Sequence, residues 1–325
     1  MPLSPSPSPS PWPELPYEAW KDTAGTLHMW LQIVGKVRLA RTPWVNHQWH
    51  ATLYPTPRGL TTGPIPHPVH PAFELAFDFV DHRLRVMQSD GAEAELELRP
   101  RSVADFHDDL MSTLVELGVG TRIHPSPNEV PEPIPFAENH APGHYDAEAV
   151  ARFHQAVIRS AQVFWDFRCD FIGKCSPVHL FWGAMDLAVT RFSGRRAPEH
   201  PGGIPHLPDW VTREAYSHEV SSAGFWTGGD HHPEAIYYSY AYPSPQGFQK
   251  APVEPQAARW DDDLQEFVLP YEAVRTSSDP EGTLRHFLET TYQAAAELGG
   301  WDREALEWAP GERPPVGGYP NGEAD

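Results

Sequence analysis

Apolar side chains recur at helical spacing over residues 17–39, where Leu27, Trp30, Ile33, Val34 and Val37 fall on one face. That spacing predicts a helix, and Pro43 stops it. The period then drops to two. Over residues 45–54, His47, Trp49, Ala51 and Leu53 share one side while Asn46, Gln48, His50 and Thr52 share the other. A strand is expected there. Residues 73–79 alternate more cleanly, with Phe73, Leu75, Phe77 and Phe79 inward and Glu74 and Asp78 outward. With residues 83–88, a Ser89-Asp90-Gly91 turn and residues 93–99, they read as an antiparallel meander. Ser102 and Asp105 then resemble a capping box, with Asp in place of the usual Glu, at the start of a helix carrying Val103, Phe106, Leu110, Leu114 and Leu117.

The prolines of residues 125–144 forbid helix and central strand, so this stretch reads as a linker. Beyond it, Asp146 caps a long helix with Val150, Phe153, Val157, Phe164, Phe167 and Phe171 on one stripe. A strand is expected over 178–192, a Pro/Gly loop over 197–210, and short strands over 215–222, 235–242 and 266–270. Asp279-Pro280 places a cap and then proline at the first helical position, ahead of Leu284, Phe287, Leu288, Ala295 and Leu298.

The fold class that follows is α+β, built as two similar helix–antiparallel-sheet–helix halves. Ile33-Val34-Gly35-Lys36 and Phe171-Ile172-Gly173-Lys174 read as matching helix ends. Glu116-Leu117-Gly118 and Glu297-Leu298-Gly299 close the two halves alike. The common order suggests an internal duplication. The expected units are a disordered Ser/Pro tail (1–11), a first half (12–124), the linker (125–144), a second half (145–309) and a flexible tail (310–325).

Several segments are familiar: Trp12-Pro-Glu-Leu-Pro16, Gln32-Ile-Val-Gly-Lys36, Gly173-Lys-Cys-Ser-Pro-Val-His179, Thr190-Arg-Phe-Ser-Gly-Arg195 and Glu214-Ala-Tyr-Ser-His-Glu219. Together they resemble a bacterial family of roughly 300-residue proteins classed as a domain of unknown function, and such a resemblance implies no activity, cofactor or catalytic residue.

Composition narrows the chemistry. A net charge of −20 repels a phosphate backbone, and no basic patch overrides it, so neither nucleic acid nor an acidic membrane surface is an expected partner. No run of apolar residues is long enough for a membrane span, and the N-terminus lacks the features of a signal peptide. A cytoplasmic location is the expectation. Two cysteines, Cys169 and Cys175, give neither a disulfide framework nor a C-x-x-C motif. Phosphate-loop, dinucleotide and nucleophile-elbow patterns are absent too.

What remains is a population of 18 histidines together with arginines at strand ends. His28, Gln32 and Lys36 form a polar stripe on an otherwise apolar helix. A polar group buried on an aromatic strand costs about 1–3 kcal/mol unless paired, so a cluster of such groups is either an internal network or a ligand site. The candidate catalytic residues are His218, Glu219 and His179; histidine and glutamate can move protons near neutral pH. The candidate ligand-binding residues are Arg58, Arg191, Arg195 and His47, with arginine clamping an anion in bidentate fashion. The function read from them is a small-molecule-binding protein or enzyme acting on an anionic metabolite, with the pocket between the halves. The alternatives are a metal protein using a subset of His28, His47, His50, His179, Asp186, His218 and Glu219, or a scaffold without catalysis. The residues name no metal, cofactor or oligomeric state. Convergence of the histidines and arginines on one concave surface decides between these readings, and scattering removes the enzyme built on them.

Overall fold

The computed structural model describes residues 11–309, so the Ser/Pro stretch before residue 11 and the tail from 310 lie outside the described residues. Helix α1 (Tyr17–Arg41) follows the sequence pattern and buries Leu27, Trp30, Ile33, Val34 and Val37 completely. Thr42 and Pro43 end it, and Arg38 and Arg41 in its last turn complement the helix dipole.

The strand expected over 45–54 does not form. A 3-10 turn occupies Asn46–Gln48, with His47 and Gln48 at φ 59° and 61°. Its backbone finds other partners. The His47 amide donates to the Glu214 carboxylate at 2.9 Å, and the Ala51 amide to the Gln48 carbonyl at 3.0 Å. A side chain far along the chain thus replaces the ladder that an alternating pattern implies.

Next come β1 (Tyr54–Thr56), β2 (Gly59–Thr61), β3 (Phe73–Asp78), β4 (Arg83–Gln88) and β5 (Glu93–Glu97), which pair in sequential order as one antiparallel sheet. The expected meander is there, preceded by one more hairpin. Helix α2 (Val103–Glu116) starts at Ser102, whose hydroxyl accepts from the Asp105 amide at 3.0 Å. Helix α3 (Ala147–Cys169) starts at Asp146, whose carboxylate accepts from the Glu148 and Ala149 amides.

The aromatic run expected as one strand over 178–192 is a hairpin. Strands β6 (His179–Phe181) and β7 (Asp186–Arg196) pair across a turn at Trp182–Met185. Helix α4 (Asp209–Ala215) forms at the end of the expected Pro/Gly loop and shares only Ala215 with the next expected strand. Then follow β8 (His218–Trp226), β9 (Ile236–Tyr242), β10 (Arg259–Asp261) and β11 (Glu266–Pro270), giving a six-stranded antiparallel sheet in the order β10-β11-β9-β8-β7-β6. Helices α5 (Tyr271–Arg275), α6 (Pro280–Leu298) and α7 (Arg303–Leu306) complete the described chain. The Asp279 cap of α6 is in place.

The protein is therefore α+β with two antiparallel sheets. The sheets meet edge to edge, where Leu53 and Leu180 exchange backbone hydrogen bonds at 2.9 and 2.8 Å beside β1 and β6. The buried apolar residues of both halves form one continuous cluster, rather than the two separate cores their order suggests. The internal duplication does not follow from the fold. One sheet has five strands and the other six. The paired helix ends are also unlike: Gly35-Lys36 lies inside α1, whereas Gly173-Lys174 lies beyond the end of α3.

Gly35 has a packing reason for its place in a helix. A Cβ there would stand 2.2 Å from Cδ1 of the Trp182 indole. The indole in turn donates from Nε1 to the Ala51 carbonyl at 2.5 Å. One ring thus joins α1, the β6–β7 turn and the segment before β1. The Gly35→Ala variant gains about 1 kcal/mol of helix propensity but must push Trp182 aside, an overpacking cost of about 1–3 kcal/mol. Chemical denaturation should show a net loss of stability, together with a changed tryptophan emission. A variant as stable as the parent would mean that the contact is loose.

Candidate functional site

The two faces of the six-stranded sheet have different occupants, and the pleat decides which residue meets which. On β7, Leu187, Val189 and Arg191 point toward α3 and α6. Asp186, Ala188, Thr190 and Phe192 point the other way, into a cavity of about 670 Å³. Strand β8 adds Val220, Ser222 and Trp226 to that cavity, β9 adds Tyr238 and Tyr240, and β11 adds Glu266. The register agrees, since Thr190 stands opposite Ser222 and Ser222 opposite Tyr240. Lys36, His47 and Trp49 from the first half close one side. Asn128 and Glu129 from the proline stretch and residues 204–216 form the roof. Trp210, Leu264 and Leu39 line the cavity yet remain exposed, so they mark its mouth.

The polar stripe of α1 fastens this roof. His28 Nε2 bonds the Gly183 carbonyl at 2.7 Å. Gln32 donates to the Asn128 carbonyl and accepts from the Asn128 amide, both at 2.8 Å. Lys36 donates to the Asn128 side-chain oxygen. Asn128 then donates to the His206 carbonyl at 2.5 Å, tying the proline stretch to the loop before α4. Residues 125–144 therefore contribute a wall of the site, where a simple linker was expected, and Phe136 within them is fully buried.

Three carboxyl groups give the cavity its chemistry. Burial lifts Asp186 to about 6, against the opposing effect of the Tyr238 hydroxyl that donates to it. Burial and the neighbouring Asp186 charge lift Glu129 to about 7. The same two causes, with Asp261 adding to them, lift Glu266 to about 8. Each carboxyl keeps a face open to the cavity while lying deep in the molecule. Gly183 makes room for one of them, because a Cβ there would stand 1.9 Å from Oε1 of Glu129. The Tyr216 and Tyr240 hydroxyls bond each other at 2.8 Å, as do Thr190 and Ser222. Lys36 is pushed down to about 8 by burial, with its ammonium 5.2 Å from the centre of the Trp182 ring.

Backbone strain concentrates here as well. Among the described residues, seven non-glycine residues have positive φ. His82, Met185 and Gln265 close four-residue hairpin turns. The remaining four, His47, Gln48, Glu129 and His206, all line the cavity. Such conformations cost about 1–3 kcal/mol each and persist where the surroundings over-determine them, as at binding sites.

The sequence-derived candidates scatter. Of the seven, His47 alone lines the cavity. Its Nδ1 bonds the Ala215 carbonyl at 2.8 Å and its Nε2 accepts from Lys174 at 2.7 Å, and burial lowers it to about 4. Arg58 lies in the β1–β2 turn of the first sheet, paired with Asp78 and Asp81 at 2.7 Å each. Arg191 is buried on the helix side of β7, its guanidinium 3.5 Å from the Phe167 ring centre and 4.2 Å from that of Tyr292. Arg195 pairs with Glu219 and donates to the Gly299 and Gly300 carbonyls, holding the C-terminus of α6. Glu219 also accepts from the Ser193 hydroxyl. His218 bonds the Ser217 hydroxyl at 3.1 Å. His179 is fully buried against Phe181 with no hydrogen-bond partner on either ring nitrogen, and burial lowers it to about 3. The hairpin also turns His179 and Asp186 to the same face, where one regular strand would have opposed them. Among the described residues, no group of three or more His, Cys, Asp or Glu is placed to hold a metal ion. No helix among them is long and apolar enough to cross a membrane.

Glu129, Asp186 and Glu266 escaped the sequence reading as a set. Asp186 and Glu266 each begin an apolar strand, a visible signal that reads equally well as a strand end. Glu129 sits among prolines, and nothing local announces that it is buried.

These carboxyls make stability depend on pH with a defined sign. Their folded values lie above the ordinary value of about 4 that they take in the unfolded chain. Stability is thus greatest below about pH 4 as far as they are concerned, and falls as pH rises through their folded values of about 6 to about 8. Asp186→Asn and Glu266→Gln should each raise unfolding free energy at alkaline pH by about 1–2 kcal/mol. Near pH 4 they should change it little. Melting curves across this range check the claim, and a gain confined to acid pH would contradict it.

No curated protein and no solved structure matches the sequence. The family of unknown function DUF5996 matches residues 12–308, nearly the whole chain, and the protein belongs to that family.

Proposed function

We propose that the cavity binds a small organic molecule with an apolar body and a polar end that donates hydrogen bonds, such as an amine or a hydroxyl group. The observation that carries this reading is the set of three carboxyls, Asp186, Glu129 and Glu266, in an aromatic cavity that no described arginine lines. The volume of about 670 Å³ suits a ligand of drug-like size. Trp49, Phe181 and Phe192 offer faces for its apolar part, and an aromatic surround also favours a cationic group. The anionic ligand inferred from Arg58, Arg191 and Arg195 loses its support, because those three are engaged elsewhere. Among the described residues, Lys36 is the one lysine in the lining, and its charge is outweighed when the carboxyls ionise.

The spread of the carboxyls supports a second reading of the same pocket. Asp186 at about 6 and Glu266 at about 8 are suited to act as base and acid on a bound molecule near neutral pH.

Three ligands of one shape distinguish the charge preference: benzylamine, benzyl alcohol and benzoate. Titration followed by tryptophan fluorescence and thermal shift should show binding of the amine and the alcohol, and none of benzoate. Amine affinity should rise as pH goes from about 6 to about 8, because the carboxylates form there. Asp186→Asn should weaken it about tenfold, equivalent to about 1.4 kcal/mol. Preferential binding of benzoate would overturn the reading.

A further inference from the structure

The polar stripe of α1 holds one group that the binding reading leaves without a task. Lys36 is 3% exposed and lines the cavity, yet no described carboxylate forms an ion pair with it. Its one hydrogen-bond partner among the described residues is the side-chain oxygen of Asn128, a neutral acceptor. A buried ammonium usually has an anion beside it, because desolvation costs several kcal/mol (roughly, per ion) when it has none. The alternative to pairing the charge is to lose it.

We propose that Lys36 is a nucleophile that forms an imine with an aldehyde or ketone admitted to the cavity, an activity that rests on the reading of this cavity as a ligand site. The placement favours it. The amine projects from the interior of α1, a rigid element, and lies over the Trp182 ring, which would flank an apolar carbonyl compound. Glu129 follows Asn128 in the chain, and its carboxyl stands against Gly183, the neighbour of Trp182. Amine and acid therefore flank the same turn. Burial also lowers Lys36 to about 8, which leaves a reactive fraction uncharged near neutral pH.

The step balances without a redox partner. The Lys36 ammonium first gives up one proton, for which a cavity carboxylate or water is the acceptor. The Nζ lone pair attacks the carbonyl carbon, the C=O π pair moves to oxygen, and proton transfer from nitrogen to oxygen gives a carbinolamine. A proton returned from water or a cavity carboxyl then reaches the hydroxyl, which leaves as water while the C=N bond forms. The sum is ammonium plus carbonyl giving a protonated imine plus water, with the proton first released by Lys36 returned when the hydroxyl leaves. A tyrosine-rich, largely apolar cavity favours the imine by limiting the return of water.

The chain has only four lysines, Lys21, Lys36, Lys174 and Lys250, so the test reads out cleanly. The full-length protein is incubated with benzaldehyde and cyanoborohydride near neutral pH, digested and mapped by mass spectrometry. Lys36 should carry the benzyl group about tenfold faster than exposed Lys21, although it is buried, and benzyl alcohol should compete. Lys36→Arg keeps a cation for Asn128 but cannot form an imine. It should lose the adduct, while labelling of Lys21 and Lys250 continues as in the parent. Labelling of Lys21 and Lys250 with Lys36 untouched, while benzyl alcohol still binds, would overturn the nucleophile and spare the ligand site. Absence of both labelling and benzyl alcohol binding would overturn both.

Discussion

The fold around the cavity depends on one close approach, the Trp182 indole lying against Gly35 of α1. A side chain at that glycine would occupy the ring. Because it is absent, the β6–β7 turn can reach α1, and His28, Gln32 and Lys36 fall opposite the backbone of Gly183 and the whole of Asn128. The spacing of four residues matters, because it puts all three polar groups on one line of a straight helix. Apolar contact and polar line together fix two segments that have no regular structure of their own. Without the clamp, the proline stretch would have no reason to carry Glu129 inward.

The sheet supplies the second constraint. One face of β7, β8 and β9 packs on α3 and α6, where Arg191 lies over aromatic rings and the Tyr237 hydroxyl meets Ser160 at 2.9 Å. The other face looks into the cavity, with α4 and the proline stretch as its roof. The pleat thus separates Arg191 from its neighbours Thr190 and Phe192, and the guanidinium expected to hold a ligand ends on the far side of the sheet. The facing carboxyls lie where their charge is disfavoured, and strained residues gather around them. Both features oppose folding, and the proposed ligand site would account for their coincidence.

Much of the helical fold was legible. The stripes of α1, α2, α3 and α6 and the caps at Ser102, Asp146 and Asp279 are local signals, and the structure places them where the pattern does. The first-sheet meander was legible for the same reason. Residues 45–54 were not, because alternation describes only which sides are apolar, whereas a strand also needs a partner, and Glu214 took its hydrogen bonds. The β6–β7 hairpin hid inside an aromatic run, since Gly183 and Met185 make a weak turn signal next to so many strand formers. The site was only half legible. The His28–Gln32–Lys36 stripe stood out, but its partners lie about a hundred residues or more away. Arginine and histidine drew attention as chemical types, while the groups that converge are carboxyls and tyrosines brought together by tertiary packing.

The central claim is that the α1 clamp builds a ligand site rather than a merely structural seam. Hydrogen exchange on the parent and on Gln32→Leu, with benzylamine titrated into each, tests it most directly. In the parent, the Asn128 amide should be protected, because it donates to Gln32 Oε1. In the variant, residues around 128 should lose protection and benzylamine affinity should fall by about tenfold, while protection across β3 and β4 stays as it was. If the segment around 128 opens in the variant and benzylamine binds as tightly as before, the clamp does not shape a binding site and the account fails.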